Sequence, residues 1–291
     1  VIQNELQEAI NATQACFDQC ALAFQDFGEI HEKLLVGSPE GASKQFIETL
    51  NVLSNFQIQR ARAVFTLLSL GMQWDSEILM RSFYEANVKT MFLASHKPSF
   101  RQQALDEFWG KLNSISDRKA SLKADITEEM FRENKQDFSA DIFKELQNNE
   151  MFEVDPKLDR RTRKALENKW SFSNMAKVLS AGNDQVSQII YADSLLHGYG
   201  MSSEFIHASA RAFDLLLDRA LRKADLPALE QAHISRILSD LVSLVCFSLY
   251  SCERAITGNV KMNPVLFNHF KDITKTTRPF MLAFEKSQNE N

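Results

Sequence analysis

The chain has 291 residues, and its 9 Gly and 6 Pro make up about 5% of them, against roughly 12% in an average protein. So little turn chemistry excludes a sandwich, a barrel or a doubly wound sheet, while 44% hydrophobic residues suffice for a large core. The net charge of −5 argues against a surface built to coat nucleic acid. The longest uncharged apolar stretches, 63–74 and 241–252, fall short of the roughly 18 residues that span a bilayer.

Helical periodicity starts at once. Leu6, Ile10, Phe17, Phe24, Phe27 and Leu34 predict a helix over 2–36, ended by Gly37-Ser38-Pro39-Glu40-Gly41. The first basic residue is Lys33, so no secretory leader is expected. A second helix is expected to run to about Gly71 and a third over 73–95, with loops short enough to make neighbours antiparallel. Residues 98–169 form a charged helical excursion. Its 125–155 part carries ten acids and three bases, whereas 156–170 carries six bases against Asp159 and Glu167. Acid and base adjacent in sequence are read as pairing internally. Asp155-Pro156 has the form of a helix cap followed by Pro at the first helical position. Short helices are expected over 173–181 and 184–197, then longer ones over 203–223, 227–256 and 264–285, with Pro279 kinking or breaking the last.

Cys16, Cys20, Cys246 and Cys252 sit among apolar helical neighbours without any Cys-x-x-Cys pair, so they are read as core thiols in a reducing, cytoplasmic setting. Glu204…His207 and Glu230…His233 have the Glu-x-x-His spacing of di-iron bundles. Each pair opens one of two consecutive antiparallel helices, which would leave them at opposite ends. No metal and no cofactor is therefore expected.

Two other groups draw attention. Glu77, Arg81, Glu85 and Lys89 form an i, i+4 stripe on a helix that is apolar nearly all round, so a buried Arg81–Glu85 pair is expected. Such a pair is costly to bury. In the second group, Asp193 lies one helical turn before His197, where a carboxylate could fix an imidazole tautomer for acid–base work. There, His197 would end a helix and Gly198 would be its left-handed stop.

Ala61-Arg62-Ala63, Arg81-Ser82-Phe83-Tyr84-Glu85-Ala86, Lys169-Trp170-Ser171 and Tyr191…Ser194…His197-Gly198 resemble a bacterial all-helical family whose function is unknown. The resemblance spans roughly 60–200 and implies a polar site near Arg81, Glu85 and His197. The His-Gly element is also similar to the end of the Arg-polar-x-x-x-His motif of HEPN-type helical ribonucleases. Asp193 takes the polar position, but Ala192 stands where that motif has Arg.

The sequence thus predicts an all-α multi-helix bundle, a single domain over 1–291 with 98–169 as an excursion within it. With 22 Phe and several helices apolar on more than one face, a homo-oligomer is expected. The leading functional reading is a binding or interaction module, defence-associated by resemblance, whose polar pocket takes a small anionic ligand or a protein partner. Arg81, Tyr191, Ser194 and His197 would bind; Arg81, Glu85, Asp193 and His197 are the catalytic candidates. The alternative is a metal-independent endoribonuclease with Arg81 as phosphate clamp and His197 as acid–base. Neither tight nucleic-acid binding nor membrane insertion is expected.

Overall fold

The computed structural model describes residues 2–36, 43–133, 158–189, 192–222 and 226–289. These are almost entirely helical, with no β-strand among the described residues, so the fold is all-α. The helices are α1 (Ile2–His31), α2 (Lys44–Ser69), α3 (Gln73–Ala94), α4 (Pro98–Leu105), α5 (Leu112–Glu133), α6 (Arg160–Lys169), α7 (Phe172–Ala181), α8 (Leu195–Ile206), α9 (Ala210–Leu221), α10 (Leu226–Thr257) and α11 (Pro264–Asn289). The expected stop at 37–41 and the Asp155-Pro156 cap lie outside the described residues, as does most of the acidic stretch 125–155.

The chain divides into two compact units, Val1–Ser95 with Ala176–Asn291, and His96–Met175. In the first, α3 and α10 are central. Helix α2 packs along α3, α11 along α10, α8 covers another face of α3, and α1 lies against α10 and α11. The helix ends follow local chemistry. Ser43 caps α2 by accepting from the Phe46 amide. Gly71, at φ 75°, closes its other end with Met72 N–H on the Leu67 carbonyl and Gly71 N–H on that of Leu68, a Schellman turn that only Gly adopts without strain. The four cysteines are buried and unbridged. By length and composition alone α10 could cross a membrane, yet 67% of its most apolar window is buried inside the protein.

In the second unit a π-helical segment, Asp106–Lys111, joins α4 to α5 and holds Glu107 inward. Glu107 accepts from Lys169 Nζ at 2.6 Å and Trp170 Nε1 at 3.0 Å. Ile115, Leu158 and Leu166, flanked by Leu112, form a small core cluster, and Lys119 pairs with Glu167. Asp159 caps α6 through the Thr162 amide.

Three sequence-based expectations give way here. The stretch 184–197 is not one helix. Asn183 Oδ1 accepts from the amides of Gln185 and Val186, the chain runs on with Ile189 N–H bonded to the Leu179 carbonyl, and a single 3-10 turn, Ala192–Ser194, leads into α8. Gly198 is consequently no stop but an interior residue of α8. A Cβ on it would lie 2.5 Å from the Tyr84 hydroxyl, so the position requires Gly for close approach rather than for a left-handed turn. The single helix expected over 203–223 is broken at Ala208, which adopts φ 45°, and Ser209 restarts it as α9 by accepting from the Ala212 amide. Finally, of the kink or break expected at Pro279, the break does not occur, and α11 runs through it as one helix.

Candidate functional site: a buried ion network beside a cationic cavity

Glu77 of α3 is the organising residue, and it is fully buried. Its Oε2 accepts from Ser202 Oγ of α8 at 2.7 Å, and its Oε1 takes both His233 Nε2 of α10, at 2.6 Å, and an Arg236 guanidinium nitrogen. Arg236 turns its other terminal nitrogen to Asp240 Oδ2 at 3.2 Å and to the Tyr84 hydroxyl at 3.1 Å, while that hydroxyl donates to Asp240 at 2.5 Å. The i, i+3 and i, i+7 positions 233, 236 and 240 share one face of α10, which lets a single helix meet α3 and α8 with a base, a cation and an acid.

The protonation states agree with this geometry. Burial pushes the Glu77 carboxyl up, but Arg236, His233 and Ser202 together hold it below the ordinary carboxylate value. Burial pulls His233 down, against the raising influence of Glu77, and leaves it below the usual imidazole value. A neutral His233 therefore donates Nε2–H to an ionised Glu77 and carries its lone pair on Nδ1. That Nδ1 is buried and has no hydrogen-bond partner among the described residues. Burial and the Asp240 charge raise the Tyr84 phenol, which stays protonated as a donor.

His233 and Arg236 also line a cavity of about 330 Å³. Its charged lining adds Arg219 of α9 and Arg222 just past its end, Asp218 and His197, and its apolar walls include Trp74, Leu215, Leu229 and Phe284. Trp74 is the hinge of the arrangement. Its ring packs 4.8 Å from the His233 ring and 4.7 Å from Phe205, and the Arg219 guanidinium lies 5.5 Å over it. Arg222 reaches Asp218 at 3.9 Å. A second cavity, of about 230 Å³, is lined by Asp240, Ser194, Met91 and Phe270 among others.

The residues singled out from sequence are distributed among these features. Arg81 and Glu85 do pair, at 3.4 Å, but their side chains are 23% and 36% exposed, so the buried acid of the stripe is Glu77 and not Glu85. Arg81 also donates to Ser203 Oγ at 2.6 Å and to His207 Nε2 at 3.1 Å, and lies 5.1 Å from the Tyr199 ring, whose hydroxyl donates to Glu85. This cluster clamps α3 to α8. His197 and Met201 line the larger cavity from another side of α8, since residues 197 and 199 diverge by about 200° on a helix. The structure thus puts Arg81 with Tyr199, Ser203 and His207, and His197 with the cavity. Asp193 accepts from Ser180 Oγ at 2.8 Å, and no Asp193–His197 bond exists among the described residues. Ser194 faces the smaller cavity, and Tyr191 lies outside the described residues.

The premise of the metal argument also fails, because the break at Ala208 brings Phe205 and His233 onto the same Trp74 ring. Even so, no group of three or more His, Cys, Asp or Glu among the described residues could hold a metal ion. Arg219, Arg222, Arg236, Tyr84 and Asp240 were not anticipated. The spacing His233-x-x-Arg236-x-x-x-Asp240 in an apolar helix carried the same signal as the Arg81 stripe and was legible. The contribution of α9 was not, because it depends on the turn at Ala208.

A family model described as a family of unknown function, DUF5677, matches residues 48–223, more than half of the chain. No curated protein and no solved structure matches it. The match takes in Glu77, Tyr84, Ser202, Arg219 and Arg222, while His233, Arg236 and Asp240 lie beyond it. On this evidence the chain belongs to the DUF5677 family of unknown function.

Proposed function

We propose that the chain is a helical binding module whose larger cavity takes a small anionic ligand with an apolar or aromatic body. The observation that carries this reading is the lining itself, where Arg219, Arg222 and Arg236 converge with His197 and His233 on one apolar-walled space and Asp218 is the one acid among the described residues. Arg236 is compensated by Glu77 and Asp240, so Arg219, stacked on Trp74, and Arg222 are assigned to the ligand, which would take over from the 3.9 Å Arg222–Asp218 contact. A volume of about 330 Å³ suits a ligand the size of an aryl phosphate, at the small end of ordinary ligand pockets. The endoribonuclease alternative built on Arg81 and His197 has less support, since Arg81 is engaged by the α3–α8 clamp.

The test is titration with phenyl phosphate, followed by the change in Trp74 fluorescence, with benzylamine as the cationic counterpart. Saturable binding of phenyl phosphate, weakened at least tenfold by Arg219→Met with Arg222→Met, is the expected result. Equal binding of benzylamine, or an unchanged affinity in the double variant, would overturn the reading.

A further inference from the structure

We infer that the Glu77–His233 pair is a general-base dyad and that the cavity hydrolyses a small phosphodiester held by Arg219 and Arg222. This rests on the anion-binding reading and adds chemistry to it. Three features carry the step. Glu77 fixes the imidazole with the proton on Nε2, and Glu77 is itself fixed by Ser202 and Arg236 from two other helices. The remaining nitrogen, Nδ1, has no partner among the described residues although the His233 side chain is only 3% exposed. A buried acceptor left unsatisfied costs about 1–3 kcal/mol and calls for an explanation other than packing. The same imidazole and the Arg219 guanidinium both pack on the Trp74 indole and both line the larger cavity.

A phosphodiester is favoured because its anionic charge sits at the reacting centre. One pair of arginines then serves both to bind it and to neutralise the charge that builds on the non-bridging oxygens. His233 Nδ1 takes a proton from a water as the water oxygen bonds to phosphorus. On the opposite side of phosphorus the P–O bond to the leaving alcohol breaks, the departing oxygen takes its proton from solvent, and the imidazolium releases its own to solvent. Diester and water become monoester and alcohol, and the dyad is regenerated. Glu77 remains ionised throughout and stabilises the transient imidazolium. Nδ1 is enclosed in this structure, so the step requires the side chains around it to move aside.

The experiment uses the full chain and methyl 4-nitrophenyl phosphate, with release of 4-nitrophenolate as the readout. Release above buffer is expected, with His233→Gln lowering kcat by about 100-fold or more and leaving phenyl phosphate affinity within threefold. Arg219→Met should both raise KM and lower kcat, since the arginine binds the diester and stabilises its transition state. The unsubstituted protein gives a test that needs no variant. The charged groups around His233 are Glu77, Arg236 and Arg219, and their balance keeps its titration below 6.5, so kcat should fall tenfold per pH unit in acid and level off near neutrality. No release above buffer, a flat profile between pH 4 and 7, or full activity in a folded His233→Gln protein would each overturn the dyad. Loss of the dyad with phenyl phosphate still bound leaves the binding reading standing; loss of both removes both.

Discussion

Gly198 shows how one missing side chain can hold a network together. The Tyr84 hydroxyl sits where a Cβ would be, at 2.5 Å, and from there reaches Asp240 and Arg236. Gly198→Ala must displace a fully buried phenol, and overpacking of this kind costs roughly 1–3 kcal/mol. Gly200, two residues on in the same helix, has nothing within 4 Å of its would-be Cβ. Gly200→Ala should therefore stabilise by about 0.5–1 kcal/mol through helix propensity and chain entropy. Urea unfolding of the two variants in parallel checks the pair. If both shift the midpoint in the same direction, Gly198 is not there to admit Tyr84.

At the level of elements, the turn between α8 and α9 decides what the site contains. Ala208 occupies a left-handed conformation that disfavours an L side chain by about 1–2 kcal/mol, and Ser209 compensates in part by capping α9. Ala208→Gly should stabilise by about 0.5–1 kcal/mol, the relieved strain less the added entropy of Gly in the unfolded chain. Ser209→Ala should cost about 1 kcal/mol. Calorimetry on both variants reads these shifts, and a destabilised Ala208→Gly protein would contradict the strained turn. The same turn marks the limit of what sequence reading could reach. Ends set by local chemistry, such as Gly71 after α2 or Pro264 at the start of α11, were legible within a residue or two. Gly198 looked like a helix stop because its true reason, Tyr84, lies more than a hundred residues away. The Asp193–His197 spacing failed for a related reason, since Asn183 and the Leu179 carbonyl hold the preceding stretch extended. Glu77 stood in the legible stripe, yet its partners could be named only once α10 lay beside α3.

For the whole molecule, the placement of tryptophan makes the two compact units separately observable. Trp74 belongs to the first, and Trp109 and Trp170 to the second. The second unit, His96–Met175, is much the shorter of the two, and a shorter chain buries a smaller fraction of its surface on folding. In a Trp74→Phe protein, tryptophan fluorescence should report unfolding at lower urea than far-UV circular dichroism, which the first unit dominates. Acid should then separate the units by pH window. In the first unit burial holds His31 and His233 below 6.5, so the unfolded chain takes up more protons and stability declines as pH falls below that value. In the second, burial pushes Glu107 up, but Lys169 and Trp170 bring it below 4.5 overall. Its contribution is complete above that value and lost only as pH falls through the lower, folded one. Between pH 6.5 and 5 the circular-dichroism midpoint should therefore drop while the Trp109 and Trp170 midpoint holds. Below about pH 4.5 the second should drop too, and Glu107→Gln should flatten that decline. Coincident midpoints across the whole range would mean that the two units unfold as one.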